Sequence, residues 1–468
     1  MLTFYLNQNK IATSLHHGTV LLDFVRRESR LPGTKEGCRE GDCGACTVLL
    51  GEIADEEIKY RAVNSCLLPI GSLAGKHVVT IEGLNLRENT LLQNAFVDEH
   101  ASQCGFCTPG FILSLTDFLL NNPTLNFEEA ILAVAGNICR CTGYESIKRA
   151  IKLLLTEVES RIELSLDKRV PELVRTGQLP EYFNTIPQKL ARLEFDVEPE
   201  NPGKIVAGGT DLFVQQADKL LKQPLQFIDD GQQSREIYRE NDQCIVGASA
   251  TMEEVRKTPV FREILPEIDT YSKLIASKPI RERATLAGNI VNASPIADFV
   301  ILLLALEAKL ILQIGSASRT VDLHNFYLGY KKLDLQEDEH IHNISIPIPN
   351  PGFKFNFEKV SRRTHLDIAS VNTAAFFAVE ENKITDARIS AGGVAPIPLL
   401  LKNTNAFLQD KIIDPAIVES AMKIAAEEIS PISDVRGSAE YKRRLLQQFI
   451  FAHFHTQFPE LIGAEVLA

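Results

Sequence analysis

The sequence predicts an α+β multidomain chain, and three features of its pattern carry that expectation. Eight of the nine cysteines crowd between Cys38 and Cys141, in two sets of unlike spacing. The apolar pattern is strand-like up to about residue 85 and helical from about 88 to 160. From about 181, strands, glycine turns and helices alternate, and after about 375 long strands lead into two helices. A chain of 468 residues has room for about three domains.

Composition narrows the function classes. The net charge is −12 and the pI about 5.5, so the surface repels phosphate backbones and no nucleic-acid partner is expected. The longest apolar run, Phe299 to Leu306, stops at Glu307, well short of the ~20 residues a membrane helix needs. It reads as a buried core helix. The start, MLTFYLNQNK, has no basic stretch leading into an apolar one, so the expected compartment is the cytoplasm. Thiols clustered in such a setting suggest a metal site more than disulfides.

The elements follow in order. LTFYLNQNKIA reads as a hairpin and TVLLDFVRRES as a helix. CTVLLG, EIKYRAVNSCLL and HVVTIEGL read as short strands. These make up a small β-rich domain, 1–85. Four helical segments follow at 88–100, 110–121, 127–137 and 143–158, giving a helical domain over 86–160. Pro109 suits a first turn, and Asn126 with Glu129 resembles a capping pair. Residues 161–180 are polar, contain Pro171 and Pro180, and read as a linker or wrapped connector. The α/β part occupies 181–375, and an α+β domain occupies 376–468.

Cys38, Cys43, Cys46 and Cys66 have the spacing C-x4-C-x2-C…C of a plant-type [2Fe–2S] ferredoxin. Such a cluster needs four thiolates from one tight loop and a flanking segment. Backbone amides must also point at the sulfurs, where they tune the potential. Gly37, Gly41 and Gly44 suit a loop with left-handed turns. The alternative is structural zinc, which usually shows two C-x2-C knuckles. Cys104, Cys107, Cys139 and Cys141 form the second set, C-x2-C…C-x-C, each pair at a junction between predicted helices. Taken alone, that set suits zinc or a second [2Fe–2S] cluster. Cys244, in QCIVGA, reads as a small buried hydrophobe.

No G-x-G-x-x-G or G-x4-G-K-[ST] motif is present, so neither a Rossmann nor a P-loop site is expected. The candidate for a pyrophosphate is the glycine turn Ala207-Gly208-Gly209-Thr210-Asp211 after a strand. Backbone N–H groups and the Thr210 hydroxyl can close on it there.

The motifs EGCREGDCGACTV, NSCLLP, QCGFCTPG and GNICRCTGY resemble, almost letter for letter, the iron–sulfur part of the xanthine dehydrogenase/molybdenum hydroxylase family. IVAGGTDL, TLAGN and NASPIAD resemble its flavin domain, in the same order. The resemblance implies a β-grasp 2Fe-2S ferredoxin domain, a four-helix 2Fe-2S domain, a vanillyl-alcohol-oxidase-like FAD domain and a C-terminal α+β domain. It implies that both cysteine sets hold [2Fe–2S] clusters. It also implies FAD contacts at Ile205, Val206, Ala207, Gly208, Gly209, Thr210, Asp211 and Leu212, then at Thr285, Leu286, Ala287, Gly288 and Asn289. Further contacts are implied at Asp298 (ribose or phosphate region), Ile341 (apolar, near the flavin ring) and Lys359 (a basic contact). The chain departs from the family pattern at Ala287, often glycine, and at Ile275, aromatic in some members. Ile275 cannot stack as a π-face does, and the favoured reading is a plain core residue. Arg362 and Arg363 suit either an anion clamp for NAD or a solvated loop.

Nothing in the sequence resembles a molybdopterin-binding domain. The domain order resembles the iron–sulfur/FAD small subunit of bacterial family members, which implies a molybdopterin-binding large subunit as partner in a heterotetramer of two small and two large subunits. The implied path runs from oxidation of hypoxanthine or xanthine to urate on the partner, through both clusters and FAD, to NAD+. No general acid or base is expected on this chain, since the cofactor does the hydride chemistry. The alternatives are the same role beside an aldehyde or N-heterocycle hydroxylase, or a redox-sensing or assembly protein.

Overall fold

The structure, a computed structural model, describes residues 1–54, 57–162, 165–194, 203–228 and 232–463. Residues 163–164 of the expected linker, 195–202 and 229–231 of the expected flavin domain, and the tail 464–468 lie outside the described residues. The chain forms two units: Met1–Asp229 with Ser277–Arg283, and Asp230–Ala276 with Ala284–Ala468.

In the first unit, β1 (Leu2–Leu6) and β2 (Asn9–Thr13) form the expected hairpin, turning at Asn7 with φ 54°. They join β3 (Thr47–Ala54), β4 (Glu57–Asn64) and β5 (His77–Val79) in a sheet of order β2-β1-β5-β3-β4, with only β1 and β5 parallel. Alternation places Phe4, Val48, Leu50, Val63 and Val78 on one buried face. The expected helix over TVLLDFVRRES is one α-turn, Leu21–Asp23, that widens into a π-turn, Phe24–Glu28, with Leu21, Leu22, Phe24 and Val25 buried.

Four helices follow, as expected: α1 (Leu91–Asp98), α2 (Thr108–Asn121), α3 (Phe127–Ala133) and α4 (Glu145–Arg161). Pro109 lies in the first turn of α2, and the Asn126 side chain accepts the Glu129 N–H at 2.9 Å to cap α3. Helix α2 is apolar almost all round and is buried from Gly110 to Leu120, so the other elements pack around it. The stretch expected to be a linker or wrapped connector carries a helix, Arg169–Arg175. Its Arg169 is buried and donates to the Leu119 carbonyl at 2.6 Å, and Leu173, Leu179 and Phe183 join the core around α2. A short parallel pair, β6 (Lys204–Val206) and β7 (Leu225–Phe227), completes this unit.

The second unit holds an antiparallel sheet of order Ala317–Asp322, Lys309–Ile314, His340–Pro347, Gln243–Gly247, Ile237–Glu240. Cys244 is fully buried in it, and burial pushes its thiol up to about 12. The apolar run forms helix Asp298–Ala305, with Phe299 to Ala305 buried. A second sheet contains Lys354–Val360, Val371–Glu380, Lys383–Gly392 and Leu399–Leu400. Three helices follow it, not two: Lys402–Leu408, Pro415–Glu428 and Ala439–Gln457. The first is a short, polar segment, KNTNAFL, whose periodicity is too brief to read.

Candidate functional site

The β3–β4 hairpin brings the first cysteine set together. Cys46 immediately precedes β3, Cys66 lies in the turn Ser65–Leu67 after β4, and Thr47 pairs with Asn64 across the register. The Ser65 backbone N–H and hydroxyl both donate to the Cys46 carbonyl, at 3.2 and 2.7 Å. Asn64 Nδ2 reaches over to the Gly41 carbonyl at 2.8 Å and pins the loop bearing Cys38 and Cys43. Gly41 and Gly44 have φ of 83° and 67°, as the loop requires. Gly37 is not left-handed. Its role is space, because a Cβ there would lie 2.7 Å from Cys43 Sγ. The remaining left-handed residue is Arg39, held by ion pairs to Asp23 at 2.6 Å and Glu36 at 2.7 Å.

The four thiols meet in pairs. The Cys43 thiol donates to Cys38, which together with the Glu40 N–H, 3.3 Å from its sulfur, brings Cys38 down to about 5. Cys43 is pushed up by sharing that proton and by burial. Cys46 is likewise lowered by its hydrogen bond with Cys66, which is raised in turn.

The second set sits where α1 leads into α2 and α3 into α4. Cys141 Sγ lies 3.5 Å from Cys104 Sγ, and both are exposed. Cys107 pairs with Cys139 further in, and burial pushes Cys107 up to about 12. Burial works against ionisation at Cys139, yet its thiol lies low because the Thr142 hydroxyl donates to its sulfur at 3.2 Å.

This pairing tests which metal centre the donors fit. A single zinc ion needs its ligands to converge on one point. A binuclear cluster gives each iron two terminal ligands, and each set offers two pairs of thiols with backbone or hydroxyl donors on the sulfurs.

The flavin candidates fall in both units. In the first, Ile205 and Val206 end β6, and Ala207 to Gly209 turn into the helix Thr210–Gln215, which also carries Asp211 and Leu212. Gly209 has φ 73°, and Arg283 donates to the Gly208 carbonyl at 2.6 Å, an anchor with no signal in the sequence. In the second unit, Thr285 caps the helix Leu286–Asn292 by accepting the Gly288 N–H at 3.0 Å. Asn289 Oδ1 is buried with no hydrogen-bond partner among the described residues, as a ligand-facing acceptor would be. Asp298 and Lys359 come together at 2.8 Å, and Asn372 donates to the same carboxylate at 2.6 Å. Burial pushes the Asp298 carboxyl up against the pull of Lys359. Ile341 is buried on its strand, and Ile275 is a buried residue as well. Arg362 and Arg363 are both engaged locally, the first with the Val435 carbonyl and the second with the Leu366 carbonyl at 2.8 Å.

Comparison with known proteins follows this order of parts. Family models match a 2Fe-2S iron-sulfur cluster binding domain over 4–70 and a [2Fe-2S] binding domain over 80–152. They also match the FAD binding domain in molybdopterin dehydrogenase over 184–349 and the CO dehydrogenase flavoprotein C-terminal domain over 356–457. Xanthine dehydrogenase/oxidase of Rattus norvegicus is 28% identical over 530 residues, covering 99% of this chain and 40% of that protein. Xanthine dehydrogenase 1 of Arabidopsis thaliana is 29% identical, covering 93% and 38%. This chain thus spans about two fifths of the curated relatives it matches. A solved carbon monoxide dehydrogenase from Hydrogenophaga pseudoflava matches with TM-score 0.52 and 28% identity, over 55% of this chain and 90% of that one. Quinoline 2-oxidoreductase from Pseudomonas putida 86 matches with TM-score 0.50 and 26% identity, over 55% and 90%. Two [2Fe–2S]-binding domains followed by an FAD-binding domain and a flavoprotein C-terminal domain define an iron–sulfur flavoprotein. The chain belongs to the molybdenum hydroxylase family, as its iron–sulfur and FAD part. No helix among the described residues is long and apolar enough to cross a membrane.

Proposed function

We propose that this chain is the electron-transfer part of a xanthine dehydrogenase, passing electrons from a molybdopterin centre on a partner polypeptide to NAD+ in the cytoplasm. The observation that carries the proposal is the arrangement of eight thiols as two sets of two pairs, ahead of a flavin domain. The proposal follows the xanthine dehydrogenases that align with nearly the whole chain. Cys38, Cys43, Cys46 and Cys66 hold one cluster, and Cys104, Cys107, Cys139 and Cys141 hold the other. The residues that would hold FAD are Ile205–Leu212 in the first unit and Thr285–Asn289, Asp298, Ile341 and Lys359 in the second. When bound, these groups supply one-electron relay and hydride transfer. The chain's own residues hold, orient and shield them. The buried Asp298–Lys359 pair holds the Asp298 carboxyl in place, and the Glu40 N–H and Thr142 hydroxyl favour thiolate at their sulfurs. The exposed pair Cys104 and Cys141 is flanked by exposed Phe106, Ile138 and Tyr144, a surface suited to the molybdopterin-bearing partner in a heterotetramer of two small and two large subunits.

The test is co-purification of the tagged chain with metal and flavin analysis. About four irons and one FAD per chain are expected, with xanthine-dependent NAD+ reduction by the complex. A colourless or zinc-bearing protein overturns the proposal. A second reading keeps the cofactors and gives the partner an N-heterocycle or another small substrate. The likeness to quinoline 2-oxidoreductase and to carbon monoxide dehydrogenase favours it. Activity of the same complex with quinoline and not with xanthine would establish it.

A further inference from the structure

Cys43 and Cys139 belong to different thiol sets, yet one hydrogen bond joins their backbones. The Ile138 N–H donates to the Cys43 carbonyl at 3.0 Å. Ile138 is the residue before Cys139, so a route from one sulfur to the other runs through covalent bonds everywhere except at that contact.

The surroundings are built to hold the contact closed. A Cβ on Gly44 would lie 2.5 Å from the Gly136 carbonyl, and one on Gly110 would lie 2.2 Å from the Gly44 carbonyl. Three stretches of backbone therefore meet at a distance only glycine permits. Asn137 sits among them, 5% exposed. Its Nδ2 donates to the Gly44 carbonyl at 3.3 Å, and its Oδ1 accepts from Ser114 Oγ at 2.8 Å. Ser114 lies in the buried middle of α2. One asparagine amide thus ties the first cysteine loop, the central helix and the second cysteine loop together. Buried polar side chains with both ends satisfied fix a unique geometry, and removing one end leaves the other uncompensated.

We propose that Asn137 is a positioning residue for electron exchange between the two centres, acting by keeping the Cys43 C=O···H–N Ile138 bridge closed. The proposal rests on the reading of both thiol sets as cluster ligands. In the exchange one centre is oxidised as the other is reduced, no covalent bond forms or breaks, and no proton moves. The electron comes from the partner's substrate oxidation in the complex, and from a radiolytic reductant in the test.

The experiment compares the full chain with its Asn137→Ala and Ser114→Ala variants. Iron content, spin–spin splitting in the electron paramagnetic resonance of the dithionite-reduced protein, deuterium exchange at the peptide containing Ile138, and electron equilibration after pulse radiolysis are measured. Asn137→Ala is expected to keep its iron, exchange the Ile138 amide faster, lose part of the splitting and equilibrate severalfold more slowly. Ser114→Ala should show the same changes in smaller degree. Full iron with unchanged splitting and rate in Asn137→Ala overturns the proposal. If Asn137→Ala loses iron, Ser114→Ala decides: full iron with unchanged exchange and rate overturns the proposal, and slowed equilibration supports it. Absence of iron from the unaltered chain overturns the proposed function itself, which separates the two failures.

Discussion

Replacing Lys278 with methionine leaves a buried carboxylate without its cation. Lys278 lies in Ser277–Arg283, the stretch that belongs to the first unit although its sequence neighbours belong to the second. Its ammonium pairs with Asp117 in the middle of α2, where the two side chains are 17% and 2% exposed. The only other donor to that carboxylate in the structure as described is Asn121 Nδ2, 2.7 Å from Oδ1. Removing one partner of a buried pair costs about 3–5 kcal/mol, because the remaining charge is neither paired nor hydrated. In a unit of this size 1 kcal/mol moves the midpoint by about 2–4 °C, so Lys278→Met should lower the transition of the first unit by about 10 °C. The same stretch lies over both cysteine loops: a Cβ on Gly41 would meet Ile280, and one on Gly136 would meet Pro279. Bleaching of the visible iron absorption in air should therefore accelerate in parallel. Scanning calorimetry and absorbance measure the two effects. The double variant Asp117→Asn/Lys278→Met removes both charges and should recover most of the loss. A fall below about 2 °C in the single variant, or no recovery in the double, would show that the pair does not act as a buried pair.

Other expectations follow from the same structure. Cys66→Ser should reduce iron from about four to about two per chain and leave the signal of the second set, as metal analysis and paramagnetic resonance would show. Asn289→Ala removes a buried acceptor without a partner among the described residues, so flavin content should fall while circular dichroism stays unchanged; retained flavin would exclude it as a contact. Burial holds His77 and His453 neutral, each down to about 3. In His453 the Asn356 amide donates to Nδ1 and Nε2 faces the Thr373 hydroxyl, so a second proton has no acceptor. Because both pKa values are depressed in the folded state, this stability is complete above the ordinary histidine value near 6.5. It is lost as pH falls from there toward 3, by roughly 1 kcal/mol per histidine per pH unit. Denaturation midpoints measured from pH 7 to 4 should decline accordingly, and less steeply in His453→Gln.

Much of the first unit is legible locally. The hairpin at Asn7, Pro109 in the first turn of α2 and the Asn126 cap are decided by residues within a few positions of one another. The segment 161–180 was less legible, because Leu173 and Leu179 are spaced singly among charges and their burial depends on the groove beside α2. Lys402–Leu408 is illegible for a related reason, being a helix too short for its own periodicity to show.

The cysteines show where sequence ends and structure begins. Spacing and family resemblance alone named eight thiols and their division into two sets, because ligand spacing is a local property of the chain. Only the fold decided that each set meets as two pairs, that Asn137 and the Lys278–Asp117 pair find buried partners, and that Arg283 anchors the Gly208 carbonyl. Their partners lie far away in sequence, and a buried polar side chain is understood only once its partner is in place. The bridge from Cys43 to Ile138 is likewise a backbone contact across the fold, which no side chain in either motif announces.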